Sequence, residues 1–250
     1  MGVPVDWECS YPIKTKPYNP KIFVGVFTTE DNYYRRQIIR DTYLKYKKTD
    51  DIIFKFVIGR TKTKKILEEM DRYHDILPLD IEENMNYGKT YEYFATISET
   101  FKNYPLDFVI KADDDSYLNL DLIFQDLSIT PSNMTYWGYL VGDTFMGGEC
   151  YGLSFDLVNW IKKSNVSRKY KNGHEDSQVQ KWFNWGNINN NITYQTRNCL
   201  IHDDPLSNTV YAKEITDKSI VVHYIKTNNR FINIYYQMLN LTHSIETANN

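Results

Sequence analysis

Four short apolar runs, KIFVGVF (21–27), DIIFKFVIG (51–59), DILPLD (75–80) and DFVIK (107–111), alternate with three helix-length stretches in the first half of the chain. No other feature limits the possible folds as tightly. Runs this short, rich in Val, Ile and Phe and bounded by polar residues, read as buried strands. The intervening stretches are DNYYRRQIIRDTYLKY (31–46), TKTKKILEEMDRYH (61–74) and GKTYEYFATISETFKNY (88–104). The second opens with a Thr cap, and in the third Phe94, Ile97, Ser98 and Phe101 fall on one face. Strand and helix in alternation predict an α/β fold: a mainly parallel central sheet with right-handed crossovers, flanked by helices. Farther on, NLDLIFQDL and FDLVNWIKK are helix-like, HEDSQVQKWF starts a helix, and TYWGYLVG, YGLS and SIVVHYI are strand-like. With no repeat, low-complexity tract or linker, 250 residues suit one core. Residues 1–20, carrying four prolines, are read as an irregular arm and 21–240 as a single domain.

The fourth run leads directly into three consecutive carboxylates, Asp113, Asp114 and Asp115, in FVIKADDDSYL (108–118). Adjacent carboxylates repel, so such a cluster either lies in water or holds something positive. On an extended backbone Asp113 and Asp115 point to one side and Asp114 to the other. The carboxyl ends of strands are where open α/β sheets hold ligands, and paired acids there suit a hard divalent cation bound together with substrate phosphates. A solvated acidic turn is the competing structural reading. A calcium loop of the EF-hand type fails, because Tyr117 and Leu118 would fill its fifth and sixth positions. GKT at 88–90 is not a nucleotide P-loop, since Glu83 stands where that motif needs Gly. The absence of G-x-G-x-x-G after the first strand, and of G-x-S-x-G anywhere, argues against a dinucleotide oxidoreductase and an α/β-hydrolase.

A net charge of −3 supplies no general attraction to nucleic acid or to an anionic membrane. No apolar run approaches the roughly 20 residues that span a bilayer. The first residues, MGVPVDWECSYPIK, lack the basic-then-apolar order of a signal peptide. Membrane attachment would therefore run only through an anchor not present in this chain. The expected location is the Golgi or secretory lumen if such an anchor is missing, and the cytoplasm otherwise. Cys9, Cys150 and Cys199 allow one internal disulfide, and sequons at Asn133, Asn165, Asn191 and Asn240 permit a secretory location without demonstrating it. The 21 Tyr in a chain that is 15% aromatic suit sugars or bases, although most such rings pack in cores.

Seven stretches, in order, resemble the β-1,3-galactosyltransferase family (glycosyltransferase family 31). RRQIIRDTY is similar to its R-x-x-I-R-x-T-W, with Arg36, Ile39, Arg40 and Thr42 in place and Tyr43 for Trp. FKFVIG resembles a strand F-x-x-G, and LEEMDRYHDILPLDIEENMNYGKT a segment ending in K-T at Lys89 and Thr90. FVIKADDDSYLN resembles K-x-D-D-D-x-x-x-N, GECYGLS resembles G-x-x-Y-x-L-S, HEDSQV the E-D-V motif, and VVHYIK the terminal H-x-x-K strand. The likeness spans roughly residues 21 to 230. Three departures fall near the expected acceptor side: the stretch between Trp137 and Gly147 is short and lacks a P-x-Y approach, Ser177 replaces Val, and Gln180 replaces Gly.

The resemblance implies the GT-A nucleotide-diphospho-sugar transferase fold. It also implies an inverting transfer of galactose or N-acetylglucosamine from a UDP-sugar to a glycan or glycoprotein hydroxyl, with a β-1,3 linkage and Mn2+ or Mg2+ as cofactor. Asp113, Asp115 and His223 would hold the metal. Arg36, Arg40, Lys111, Asp113, Asp114 and Lys226 would meet the donor, and Asp176 would be the catalytic base with Glu175 as neighbour or substitute. Each carries a structural alternative: Arg40 paired with a carboxylate, His223 packed in a strand, Glu175 and Asp176 serving a helix N-terminus. A Mg-dependent nucleotide phosphohydrolase and a catalytically inactive carbohydrate-binding relative remain the competing functions.

Overall fold

The protein was analysed as a computed structural model, which describes residues 15–248 except 105 and 143. Cys9 and most of the predicted N-terminal arm lie outside the described residues. The first four predicted strands form as β1 (Ile22–Phe27), β2 (Ile52–Ile58), β3 (Ile76–Pro78) and β4 (Phe108–Asp113). The helices between them are α1 (Tyr33–Ile39), α2 (Lys64–Tyr73) and α3 (Lys89–Thr100). After β5 (Tyr117–Leu118) come α4 (Leu120–Leu127), β6 (Thr135–Val141), β7 (Phe145–Ser154), α5 (Phe155–Lys163), α6 (Asn165–Lys169) and α7 (Glu175–Trp185). The chain continues through β8 (Thr193–Thr196), β9 (Ile201–Asp203) and β10 (Val221–His223) into α8 (Asn228–Ala248).

Among the described residues the main sheet has the order β3-β2-β1-β4-β7-β6-β8. β1 pairs in parallel with both β2 and β4, β2 with β3 and β6 with β8, while β7 runs antiparallel between β4 and β6. A second sheet, β5-β10-β9, carries the late strands. The chain leaves β1 toward β2 on one side and returns through β4 on the other, so the crevice above the carboxyl ends of β1 and β4 is a topological switch point.

Alternation along the strands divides the core into two layers. Ile22, Val24 and Val26 of β1, with Phe108, Ile110 and Ala112 of β4, face one layer, and Phe23, Phe27 and Val109 face the other. All nine are buried, and each of the Val, Ile and Phe side chains contributes about 1.5–3 kcal/mol relative to exposure.

The predicted continuous helix over 31–46 differs. α1 gives way at Arg40–Leu44 to a wider π-type turn, with Thr42 at φ −111° and ψ −114° and its Oγ1 donating to the Ile38 carbonyl at 2.6 Å. A threonine bonding back to the preceding turn bends a helix in this way. Thr63 stands at the N-cap of α2 but donates its hydroxyl to Glu30 instead of capping. Among the described residues no helix is long and apolar enough to cross a membrane. Cys150 is a free, buried thiol and Cys199 is disulfide-bonded.

Candidate active site

β1 and β4 end together, with Phe27 in register with Asp113, at the floor of a cleft of about 810 Å³. The three acids lie where the chain turns out of β4. Ser116 N–H donates to the Asp113 carbonyl at 3.2 Å, so the backbone bends there rather than staying extended. The side chains nevertheless diverge. Asp114 turns toward the segment after β1, accepting from Thr28 Oγ1 at 2.6 Å and Asn32 Nδ2 at 2.8 Å. Asp113 and Asp115 turn toward His223 at the end of β10, and ligand atoms of the three lie within 4.8 Å of one another. The Ile225 N–H donates to the Asp115 carbonyl at 3.0 Å, tying the exit of β10 to this turn.

His223 presents its Nε2 to Asp115 Oδ1 at 3.5 Å, while its Nδ1 is hydrogen-bonded to Asp203 Oδ1 at 2.7 Å. Asp203 also accepts from Thr209 Oγ1 at 2.5 Å. A histidine whose far nitrogen is fixed by a carboxylate has its other nitrogen oriented and basic enough to ligate. Burial alone would lower the His223 pKa, but Asp203, Asp115 and Glu149 outweigh it and hold it above the usual imidazole value. Two carboxylates and an oriented imidazole form a donor set suited to Mn2+ or Mg2+, so these residues fit a divalent ion.

Lys111, fully buried, donates from Nζ to Asp113 Oδ1 at 2.7 Å and the Gly148 carbonyl at 2.6 Å, and pairs with Glu175 Oε1 at 2.8 Å. Burial disfavours its charge, yet Asp113 and Glu175 more than compensate and raise its pKa. One ammonium therefore serves two carboxylates. Burial pushes Glu175 up to about 8, against the opposing pull of Lys111 and with help from the Asp113 charge. Burial likewise raises Asp113, although 34% of its side-chain surface still meets solvent.

The N-terminus of α7 brings Glu175 and Asp176 to the cleft wall. Asp176 is 37% exposed, with His174 Nδ1 at 3.8 Å and a side-chain hydrogen bond to Glu175. Gly148 makes this approach possible, since a Cβ there would lie 1.9 Å from Asp176 Oδ1 and 3.2 Å from Glu175 Oε2. Lys226, half-exposed, also lines the cleft and pairs with Asp115 Oδ2. Thus the structure brings together Lys111, Asp113, Asp114, Asp115, Glu175, Asp176, His223 and Lys226.

Arg36, Arg40 and Lys111, all expected to meet the donor, are corrections, because none of them lines this cleft; Lys111 is fully buried with its donors on Asp113, Gly148 and Glu175. Arg36 is fully buried and binds Glu69 through Nε at 2.9 Å and Nη2 at 2.7 Å, spending its other donors on the Thr29 and Glu30 carbonyls. Arg40 pairs with Asp75 through Nε at 2.7 Å and Nη2 at 2.8 Å, and with Glu69 at 2.8 Å, its guanidinium 4.0 Å from the Tyr73 ring centroid. Buried guanidinium groups need carboxylate partners, and these two find theirs in Glu69 of α2 and Asp75 of the α2–β3 turn. Arg35 takes the cleft position instead, its guanidinium donating to Asn228 Oδ1 at 3.0 Å and to the Asp114 and Ile225 carbonyls. Sequence reasoning also gave no role to Lys89, buried beside the cleft with Nζ on Glu83 Oε1 at 2.7 Å and the Thr28 carbonyl at 2.9 Å. Nor did it single out Asp203. The HDD at 202–204 was the available signal, but only the parallel pairing of β9 with β10 sets Asp203 beside His223.

Residues 34–142 match the family model "Galactosyltransferase". Beta-1,3-galactosyltransferase pvg3 of Schizosaccharomyces pombe is 27% identical over 161 residues, covering 43% of this chain and 43% of that protein. "Probable beta-1,3-galactosyltransferase 12" of Arabidopsis thaliana is 33% identical over 196 residues, 64% of this chain and 53% of that protein. The chain thus spans about half the length of these curated relatives. Among solved structures, galactosyltransferase LgtC in complex with donor and acceptor sugar analogs superposes with a TM-score of 0.50 at 8% identity, covering 86% of this chain and 95% of that one. That likeness concerns the fold, which is the GT-A arrangement of a mostly parallel sheet flanked by helices. The family-model match over residues 34–142, the curated relatives and this fold together support the β-1,3-galactosyltransferase family for this chain.

Proposed function

We propose that the protein is an inverting, metal-dependent transferase. It moves galactose or N-acetylglucosamine from a UDP-sugar to a glycan hydroxyl, forming a β-1,3 linkage. One observation carries the reading: the Asp113, Asp115 and His223 group and the Glu175–Asp176 pair face a single cleft at the switch point of the sheet. That juxtaposition supports a site in which a diphosphate leaves on one side and a hydroxyl is deprotonated on the other. The family-model match and the fold add support for sugar transfer.

Asp113, Asp115 and His223 would hold Mn2+ or Mg2+, which when bound offsets the negative charge developing on the leaving diphosphate. Lys226 stands beside Asp115 and can meet phosphate oxygens, while Asp114, Asn32 and Arg35 form the wall suited to the nucleoside. Asp176 serves as base. Glu175 is engaged with buried Lys111 and held up near 8, whereas Asp176, hydrogen-bonded to Glu175, keeps 37% of its side chain exposed and lines the cleft. The acceptor oxygen forms its bond to the anomeric carbon as the carbon–phosphate oxygen bond breaks. The electron pair leaves on the diphosphate and the hydroxyl proton passes to an Asp176 oxygen. A single displacement inverts the centre, so an α-linked donor gives a β-product. Glu175 and Lys111 act as positioning residues that fix the start of α7 against β4.

The test is calorimetric titration of UDP with and without Mn2+, on the native chain and on Asp115→Asn. Metal should strengthen UDP binding in the native chain, and most of that enhancement should vanish in the variant. Equal UDP affinity with and without metal would remove the reading.

A further inference from the structure

Beside the main cleft lies an annex of about 310 Å³ that shares Asp176 and His223 with it. Its walls come from the β6–β7 region, where the sequence departs from the family pattern, and from two later loops: Tyr139 on β6, Glu149 on β7, then Tyr211 and Tyr224. The Tyr139 and Tyr211 rings meet edge to face with centroids 5.6 Å apart. Tyr224, directly after His223, has φ +62°, a conformation costly for an aromatic residue, and its ring stands under the Lys226 ammonium at 4.1 Å. Strain of this kind persists only where the surroundings enforce it, and here it sets a ring at the border between annex and cleft.

Glu149 is the unexplained group. Its side chain is half-buried on the annex wall, and among the described residues its carboxylate is hydrogen-bonded to no other residue, its donor being its own backbone N–H. It folds over Gly147, whose Cβ position lies 2.1 Å from Glu149 Oε2. It is not part of the candidate metal group, which among the described residues is Asp113, Asp115 and His223. The neighbouring Asp203 is already satisfied by His223 and Thr209. A carboxylate with vacant acceptor sites on a cavity wall is free to accept from a ligand's hydroxyl donors. Aromatic faces around one uncommitted carboxylate match a pyranose, which offers apolar C–H faces to rings and hydroxyl donors to oxygen.

We propose that this annex is the acceptor subsite, taking one neutral pyranose of the acceptor glycan, with Glu149 accepting from a ring hydroxyl and thereby selecting the sugar. The proposal rests on the transferase reading of the main cleft. Asp176, common to both spaces, is placed to meet the attacking hydroxyl of a sugar held there.

Saturation-transfer NMR tests it, using methyl glycosides of galactose, N-acetylglucosamine, glucose, xylose and mannose as probes, with and without UDP and Mg2+. At least one glycoside should receive saturation from the native chain. Glu149→Gln, which keeps the volume, should weaken its binding by about 10- to 100-fold, the range for losing a hydrogen bond to a charged group. Gly147→Ala keeps the carboxylate but displaces it, and should weaken binding similarly. Tyr211→Ala should weaken binding by removing the ring wall. UDP affinity and melting temperature should stay close to native in Glu149→Gln. No glycoside binding by a native chain that binds UDP, or binding unchanged in Glu149→Gln and Tyr211→Ala together, would overturn the annex proposal. Loss of UDP affinity in Glu149→Gln would instead make Glu149 a donor-side group and likewise overturn it. A native chain that binds glycoside in the annex but no UDP would sustain the subsite and sink the donor reading.

Discussion

Arg36→Met separates a structural arginine from a donor-binding one. Arg36 is wholly enclosed, and its removal leaves Glu69, only 3% exposed, with Arg40 at 2.8 Å as its remaining cation. Two carbonyls, of Thr29 and Glu30, lose their donor as well. Breaking a buried pair from one side costs about 3–5 kcal/mol. At about 2–4 °C per kcal/mol for a chain of this size, the melting temperature should fall by roughly 6–20 °C. Removing both charges, as Arg36→Met with Glu69→Leu, should recover part of that loss, because no uncompensated carboxylate remains. The pH dependence follows from Glu69. Burial would raise its pKa, but the hydrogen bonds from Arg36 and Arg40 hold it below its usual value of 4.5. A carboxylate depressed by folding contributes stability fully above its unfolded pKa and loses it as pH falls through the folded one. The gap in melting temperature between native chain and Arg36→Met should therefore be widest above pH 4.5 and narrow below it. Thermal unfolding across pH, with UDP titration of the folded variant, is the assay. A small thermal effect accompanied by a large loss of UDP affinity would refute the reasoning and return Arg36 to the donor site.

Further expectations concern the cleft. Asp176→Asn should leave UDP binding near native and cut transfer by about 10²-fold or more, while Glu175→Gln is milder; a dead Glu175 variant beside an active Asp176 variant would reverse the roles. Gly148→Ala, by forcing Asp176 away from a Cβ that would lie 1.9 Å from its Oδ1, should cost turnover by about 10²-fold, as misplacing a reacting group by about 1 Å does. Unchanged turnover there would show that the Asp176 position is immaterial. Asp203→Asn should weaken the metal-dependent part of UDP binding by about 10- to 100-fold through loss of the His223 orientation, and calorimetry with graded Mn2+ checks it.

The parallel half of the sheet was legible because β1 and β4 are buried on both faces and β2 over most of its length, so they read as short, mainly apolar runs. The acid turn was legible for the same reason: it interrupts such a run abruptly. β5 and β9, of two or three residues, are shorter than any periodic signal, and the pairing of β9 with β10 sets Asp203 beside His223 across 20 residues of chain. β7 was read only over its last four residues, because Gly147, Gly148 and Glu149 lack strand propensity and take their conformation from β4 and β6 on either side. Arg36 and Arg40 look identical in sequence whether they face phosphate or carboxylate. Their buried partners Glu69 and Asp75 lie more than 30 residues away and meet them only once α2 packs.

Product analysis tests the central claim most directly. UDP-galactose and UDP-N-acetylglucosamine, each with Mn2+, are incubated with the chain in the presence and absence of a panel of acceptor glycans, and products are followed by mass spectrometry and NMR. The account predicts acceptor-dependent release of UDP with one hexose added in a β-linkage, abolished by chelator and by Asp115→Asn. Free sugar or phosphate appearing at the same rate without any acceptor would contradict it and identify a hydrolase.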